Sequence, residues 1–458
     1  MESLWSDDYG PLIDARGITN HVLRDARPTL ATLLFASFSL FKDPSDAWIL
    51  RSLALLALLL IFLHISKSIK ESRYYNLGIF SVAIAFCIPS FQMYVHWANT
   101  WSFLWAALAG LYAFDFWLSS KKSRKVLAVL LLALALTTYP PVALFYFSVI
   151  AVTNVLNEFK ISKFFNDVIR GLVLLIISGL VSVFLAFAAM QIAGVSPSGR
   201  VKLITLSGIP DKLLWLFSRP FVVGLRPFTI DSPAPIFALI TSFPILLIVF
   251  FGVRRQSRQS KEVFFQRASV IVISLLLTLA PIMITSDNQI EFRLVSGYCW
   301  GVLAIASYFL MIELKSLVWF LKVSRTVEMT VFLSISTVLA FIAITTVNLH
   351  FSQLFGGPYE KKTAFLNSQI SLCQSKGFVK NVVILPPKEA FPTFQRLGVF
   401  SMSTDLASPW VPKPNVELLL RERKIDVPVV YLEVRPTSAK VVKTDCTIDL
   451  EEFRKLLI

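Results

Sequence analysis

Apolar residues come in long blocks along this chain, and polar residues gather in the gaps between them. Blocks of helical, bilayer-crossing character fall near 47–65, 76–95, 101–118, 126–139, 141–156, 169–193, 233–253, 265–285, 294–312 and 329–348. Crossing about 30 Å of hydrocarbon takes about twenty mainly apolar residues. The fourth and fifth blocks are short, and Pro140–Pro141 divides them. Proline fixes φ and lacks an N–H, so a sharp turn is expected there rather than one kinked helix. The run Pro28–Phe41 is too short to span and predicts an interfacial or re-entrant helix. Beyond Phe351 the pattern becomes mixed. Val379–Leu385 and Pro428–Val434 read as buried strands, and Lys361–Cys373 and Val416–Lys424 as amphipathic helices. The chain thus divides into an outer loop with an interfacial helix (1–45), an all-α polytopic membrane region (46–349) and a small C-terminal α/β domain (350–458). The membrane region is expected to hold about ten transmembrane helices.

Charge gives these blocks a direction. Lys67, Lys70 and Arg73 share one gap; Lys121, Lys122, Arg124 and Lys125 share the next but one. Lys160, Lys163 and Arg170 follow, then Arg254, Arg255, Arg258, Lys261 and Arg267, then Lys315, Lys322 and Arg325. The turns near 96–100 and 140 hold no Lys or Arg. Basic residues in alternate loops mark the cytoplasmic side. Residues 1–45, 194–232, 286–293 and 349–458 are therefore expected outside, in a multi-pass inner (cytoplasmic) membrane protein whose C-terminal domain faces the periplasm or exterior. An outward start without a preceding span or signal peptide leads to a further expectation, that a first transmembrane helix is missing from this chain.

Composition agrees with the class. The chain is 55% hydrophobic, with mean hydropathy +0.67 and 39 Phe, too apolar for a soluble globule of 458 residues. Its net charge of +15 comes without the interleaved aromatics or zinc spacing of a nucleic-acid binder, so no nucleic-acid partner is expected. Four scattered histidines lack metal-ligand spacing. Cys373 and Cys446 in the tail could form a disulfide or remain two thiols, and Cys87 and Cys299 read as apolar filler.

Two polar features stand out from this background. Asp7 and Asp8 are adjacent carboxylates on the expected outer side, suited to proton transfer or to a cation. Alternatively, they cap a helix or pair with Arg24 or Arg27. The outer loop 194–232 carries Arg200, Lys202, Lys212, Arg219 and Arg226 against Asp211 and Asp231, and Arg293 lies in the next outer loop. Such an excess is either a solvated loop touching lipid headgroups or a cradle for an anion, most simply a lipid phosphate. Leu213–Phe217 and Phe221–Leu225 give the long loop membrane-skimming stretches. Of the remaining polar groups, Asp115 is expected to pair with Lys121 or Lys122, His96 and Trp97 to belong to an aromatic belt, and His64 to be structural.

The opening residues carry a family resemblance. Ser6-Asp-Asp-Tyr-Gly-Pro, then Arg24-Asp-Ala-Arg-Pro-Thr-Leu-Ala-Thr-Leu-Leu, then Phe41-Lys-Asp-Pro-Ser-Asp-Ala resembles the first outer loop of the serotype-converting O-antigen glucosyltransferases, members of the membrane-embedded GT-C class. That family has an acidic pair, a "GRPL"-like segment opening an interfacial helix, and an Asp before the next span. Ala26 stands here for its Gly and Thr29 for its Leu. Thr138-Tyr-Pro-Pro resembles the family's "YQP" segment, with Pro140 for Gln. The resemblance implies a GT-C-like fold and transfer of a hexose, most simply glucose, from a polyprenyl-phosphate sugar to a surface glycan acceptor such as O-antigen. Asp7 or Asp8 would be the base. Arg293, Arg200, Lys202, Arg219 and Arg226 would hold the donor phosphate, and Arg24, Arg27 and Tyr139 would position substrate. This chemistry needs no cofactor, although the acidic pair could bridge a divalent cation.

Overall fold

The computed structural model describes residues 12, 14–41, 43, 46–157, 161–199, 202–218, 220, 235–257, 260–286, 294–320, 357–375, 381–388, 412–432 and 446–457, with scattered positions between 326 and 345. These residues form a helical bundle and a small α/β unit. The bundle opens with α1 (Ala15–Arg24) and α2 (Pro28–Leu40). It continues through α3 (Ala47–Ser68), α4 (Tyr75–Ala85), α5 (Pro89–His96), α6 (Trp101–Trp117), α7 (Lys122–Thr138), α8 (Pro140–Ala143) and α9 (Phe145–Leu156). Then come α10 (Ile161–Ala193), α11 (Ile209–Ser218), α12 (Pro235–Gln256), α13 (Lys261–Leu277), α14 (Ala280–Ile284) and α15 (Ser296–Phe320).

Proline and local hydrogen bonding place the breaks. Tyr139 is extended (φ −153°), and Pro140 opens α8 at the first helical position, where its missing N–H costs nothing. The expected division between the fourth and fifth blocks is therefore present. The block 76–95 is also divided: α4 and α5 meet at a bend of 64° before Pro89. Among the described residues three helices are long and apolar enough to cross a membrane, Ala47–Ser68, Ile161–Ala193 and Ser296–Ser316, or four if the bent pair is one span.

Burial sorts these helices. The apolar window of α15 is 78% buried and that of α10 only 17%, so α15 is a central element and α10 a peripheral one. Around Trp300 on α15 pack Phe86 and Phe145, with Phe91 edge-on to both Phe86 and Phe145. The peripheral helices turn apolar side chains outward: Leu55, Leu59 and Leu63 on α3, and Leu180, Val183, Phe184 and Phe187 on α10. Exposed stripes of this length on helices of 22 and 33 residues suit a hydrocarbon surround.

The polar pairs within the bundle differ in one case from expectation. Asp115 meets His64 across α3 and α6 (Nε2–Oδ2 3.5 Å) rather than Lys121 or Lys122. The reason is packing: α3 and α6 are neighbours, which sets His64 beside the last turn of α6, and Tyr112 packs edge-on against the same imidazole. Nearby, Lys125 lies over the Trp117 ring instead.

The tail is an α/β unit with its own core. It comprises α16 (Gly357–Ser375), β1 (Val382–Leu385), α17 (Pro412–Glu422), β2 (Val429–Tyr431), β3 (Cys446–Asp449) and α18 (Leu450–Leu457). The sheet order is β2-β1-β3, all parallel, with Val382 opposite both Val429 and Cys446. Parallel pairing requires crossovers, and α17 lies on the path from β1 to β2. Phe365, Ile370, Ile384, Val416, Ile448 and Phe453 fill the core. Cys373 and Cys446 are joined as a disulfide, which ties α16 to β3. At the end of β3, the Arg454 side chain and the Lys388 backbone N–H bond the Glu451 carboxylate and hold its pKa down to about 2. Leu418 of α17 joins the core of the bundle, linking the two units.

Candidate functional site

Of the residues that the sequence singles out, Arg24, Arg27, Tyr139 and Lys202 are among the described ones, and their contacts define one region of the bundle. It is built from the junction of α1 and α2, the Tyr139 break between α7 and α8, the segment after α10, and the ends of α14 and α15.

The junction begins with how α1 stops. The Ala26 N–H donates to Leu23 O (2.9 Å) and the Arg27 N–H to Val22 O (3.3 Å). This is the Schellman closure, in which the residue after the cap adopts a left-handed conformation. Ala26 occupies that place at φ 59°. Its Cβ makes the conformation unfavourable by about 1–2 kcal/mol relative to glycine. A glycine would adopt this conformation without that cost. Ala26→Gly is expected to stabilise the protein by about 1 kcal/mol, measured as a higher thermal midpoint in detergent. A lowered midpoint would contradict the left-handed assignment.

Arg27 then leads into Pro28, which opens α2. Pro28 makes the turn sharp, because proline disfavours helical backbone in the residue before it. Leu30, Ala31, Leu34 and Phe38 form the buried side of α2, which packs on α1 and α7. Thr29 shares a hydroxyl–hydroxyl hydrogen bond with Thr137 on α7 (2.6 Å). The Thr29 hydroxyl thus has a partner two residues before Tyr139.

Tyr139 is buried and stacks on Phe103 (centroids 3.9 Å apart, 6° between planes), while the Arg27 guanidinium lies 5.2 Å from the Tyr139 ring centroid. A guanidinium at that distance gains from the ring quadrupole, an interaction strengthened by desolvation. Phe103 also meets Tyr94 edge-on, and the Tyr94 hydroxyl donates to Ser296 at the start of α15 (2.9 Å).

The start of the basic loop is bonded to this junction. Arg24 Nε donates to Ser196 O (3.3 Å), the Ser198 N–H donates to Arg24 O (2.8 Å), and the Ser198 hydroxyl donates to Asp25 (2.6 Å). A few residues on, the Ile204 N–H donates to Ile284 O (3.0 Å) and the Ser286 N–H to Lys202 O (2.9 Å), around an antiparallel bridge between Leu203 and Thr285. The segments that lead into the two expected outer loops are therefore stitched together beside Lys202. Asp7, Asp8, Arg200, Arg219, Arg226 and Arg293 lie outside the described residues.

Helices α6 and α8, the latter following Tyr139, approach each other closely. A Cβ at Gly110 of α6 would overlap the Ala143 carbonyl oxygen of α8. The obstacle is backbone, so no rotamer change relieves it. Gly110→Ala should destabilise the protein by about 1–3 kcal/mol. Gly179→Ala, where a Cβ meets nothing within 4 Å, serves as the control and should leave the detergent thermal midpoint near wild type. Equal midpoints for the two variants would rule out the packing argument.

Arg51 is the residue that sequence reasoning passed over. It lies one turn into α3, buried, and its Nε donates to His96 O (2.9 Å) at the end of α5. The available signal was one arginine inside an otherwise apolar block, since a charge in such a setting marks either function or a built-in partner. Here it fixes the turn that carries His96 and Trp97. Among the described residues no cluster of three or more His, Cys, Asp or Glu side chains is placed to hold a metal.

No protein-family model, curated protein or solved structure matches the chain.

Proposed function

We propose that this protein is a polytopic membrane glycosyltransferase that moves a hexose, most simply glucose, from a polyprenyl-phosphate donor to a surface glycan such as O-antigen. One observation carries the reading: the Arg27 guanidinium over Tyr139 in a junction to which the base of the basic loop is hydrogen-bonded through Arg24 and Asp25. Residues from the two resembling segments, far apart in sequence, thus meet at a junction bonded to Ser196 and Ser198, which precede Lys202 in the chain. In this reading about ten helices span the inner membrane, with the junction and the α/β unit on the outer side. The disulfide in that unit accords with an oxidising compartment.

The chemistry divides between two kinds of group. Transfer breaks the bond between the anomeric carbon and the phosphate oxygen and forms one to the acceptor hydroxyl oxygen. That hydroxyl loses its proton to Asp8 or Asp7 acting as general base. The departing polyprenyl phosphate develops charge, which Lys202, Arg200, Arg219, Arg226 and Arg293 would meet. Arg24 and Arg27 would position substrate, with the buried Tyr139 ring supporting Arg27. No metal is required for either step.

The test is reconstitution in liposomes with labelled polyprenyl-phosphate glucose and a surface polysaccharide. Labelled glucose on the polysaccharide supports the enzyme. Movement of the lipid between leaflets without transfer identifies a flippase instead, and neither result leaves a surface-assembly protein.

A further inference from the structure

Helix α11 is built with its polarity reversed for a helix on a water-soluble surface. Lys212 and Leu216 face inward, with Lys212 only 5% exposed and its ammonium 4.0 Å from the Trp215 ring centroid. Outward point Ile209, Leu213, Leu214 and Phe217, at spacings that fall on one side of a helix. The exposed side does not end with the helix. The short turn Leu206–Gly208, which packs on α11, exposes Leu206 by 87%, and Leu203 just before it is 71% exposed. Through the Leu203–Thr285 bridge and the contact of α11 with α14, exposed Ile284 joins the same shelf.

Adjacent side chains of this size exposed to water would be unfavourable at about 25 cal/mol per Å². Two observations say what covers them. The chain reaches the shelf nine residues after α10, a helix long and apolar enough to cross a bilayer, whose exposed apolar side chains run from Phe165 to Ile192. The shelf thus follows closely in the chain on the face that suits hydrocarbon. Lys202, exposed at the edge of the shelf, supplies the cationic rim that anionic headgroups favour.

We infer that this shelf, comprising Leu203, Leu206, α11 and Ile284, lies in the interfacial layer of the bilayer with its apolar side among the lipid acyl chains. Because Ser196, Ser198 and Lys202 bond the same segment to Arg24, Asp25 and Ser286, immersion sets the depth of the candidate site at the headgroup level. On the proposed function, a lipid-linked phosphate would reach Arg24, Arg27 and Lys202 with its chain still in the membrane.

Spin-label accessibility in liposomes of mixed zwitterionic and anionic phospholipid tests the inference. Labels are placed singly through Leu206→Cys, Leu213→Cys and Asp211→Cys, in full-length protein with Cys87→Ala and Cys299→Ala. At 206 and 213, collisions with oxygen should exceed those with a water-soluble nickel chelate, and at 211, on the opposite side of the helix, the order should reverse. Nickel access at 213 equal to that at 211 would overturn immersion. Protection of 206 and 213 from both reagents would also overturn it, by showing a protein cover from this chain or a second copy. Immersion without sugar transfer in the reconstituted assay would keep the shelf and remove the glycosyltransferase reading.

Discussion

Replacing Asp7 and Asp8 together with asparagine is expected to reduce sugar transfer by about 10²–10⁴-fold, the range for losing a positioned general base. Asparagine keeps the volume and most of the hydrogen-bonding capacity of aspartate but accepts no proton at neutral pH. Asp8→Asn alone should carry most of the loss, with expression and membrane insertion unchanged. The alternative roles give a different pattern. A helix cap or an ion pair with Arg24 or Arg27 would lower the thermal midpoint and leave the activity of the folded fraction intact. Transfer by the reconstituted variants, normalised to folded protein, separates the two. Retained activity in both single variants and in the double variant would falsify the base assignment.

Cys373→Ser is expected to destabilise the α/β unit by about 4 kcal/mol, the chain-entropy value for a loop of this size. The two cysteines are 73 residues apart, with Cα atoms 5.4 Å apart. The bond crosses between α16 and β3, the two elements most distant in sequence within that core apart from α18. Three short parallel strands form few local contacts, so much of the unit's stability rests on closing long loops. Limited proteolysis should therefore cleave the tail of Cys373→Ser at protease levels that leave the wild-type unit intact. Cys299→Ser, at a free buried thiol in α15, should leave tail cleavage unchanged. Equal protection of the tail in Cys373→Ser and wild type would show that the core alone holds it.

The elements of the fold were largely legible in the sequence. Strands at 382–385 and 429–431 and helices over 357–375 and 412–422 fall on the segments expected for them. β3 and α18 went unread. Cys446–Asp449 is only four residues long, although Leu450, Phe453 and Leu457 have helical spacing that could have revealed α18. The helix over Pro28–Leu40 was legible because Pro28 and a run of about fourteen apolar residues are both local signals. The Asp115 partner was misjudged for the converse reason. Lys121 and Lys122 are near in sequence, whereas His64 comes near only when α3 lies against α6.

By itself the sequence determined the apolar blocks, the break at Tyr139–Pro140 and the division between membrane-type bundle and polar tail. Each follows from hydrophobic run length or from proline geometry, which act over a few residues. Only the tertiary structure decided that Arg27 meets Tyr139, that Thr29 bonds Thr137 across 108 positions, and that Arg24 bonds Ser196 across 172. Those contacts depend on which helices are neighbours and on how closely they approach, as at Gly110 and Ala143. Such packing is a property of many side chains at once, so no single segment of the sequence encodes it.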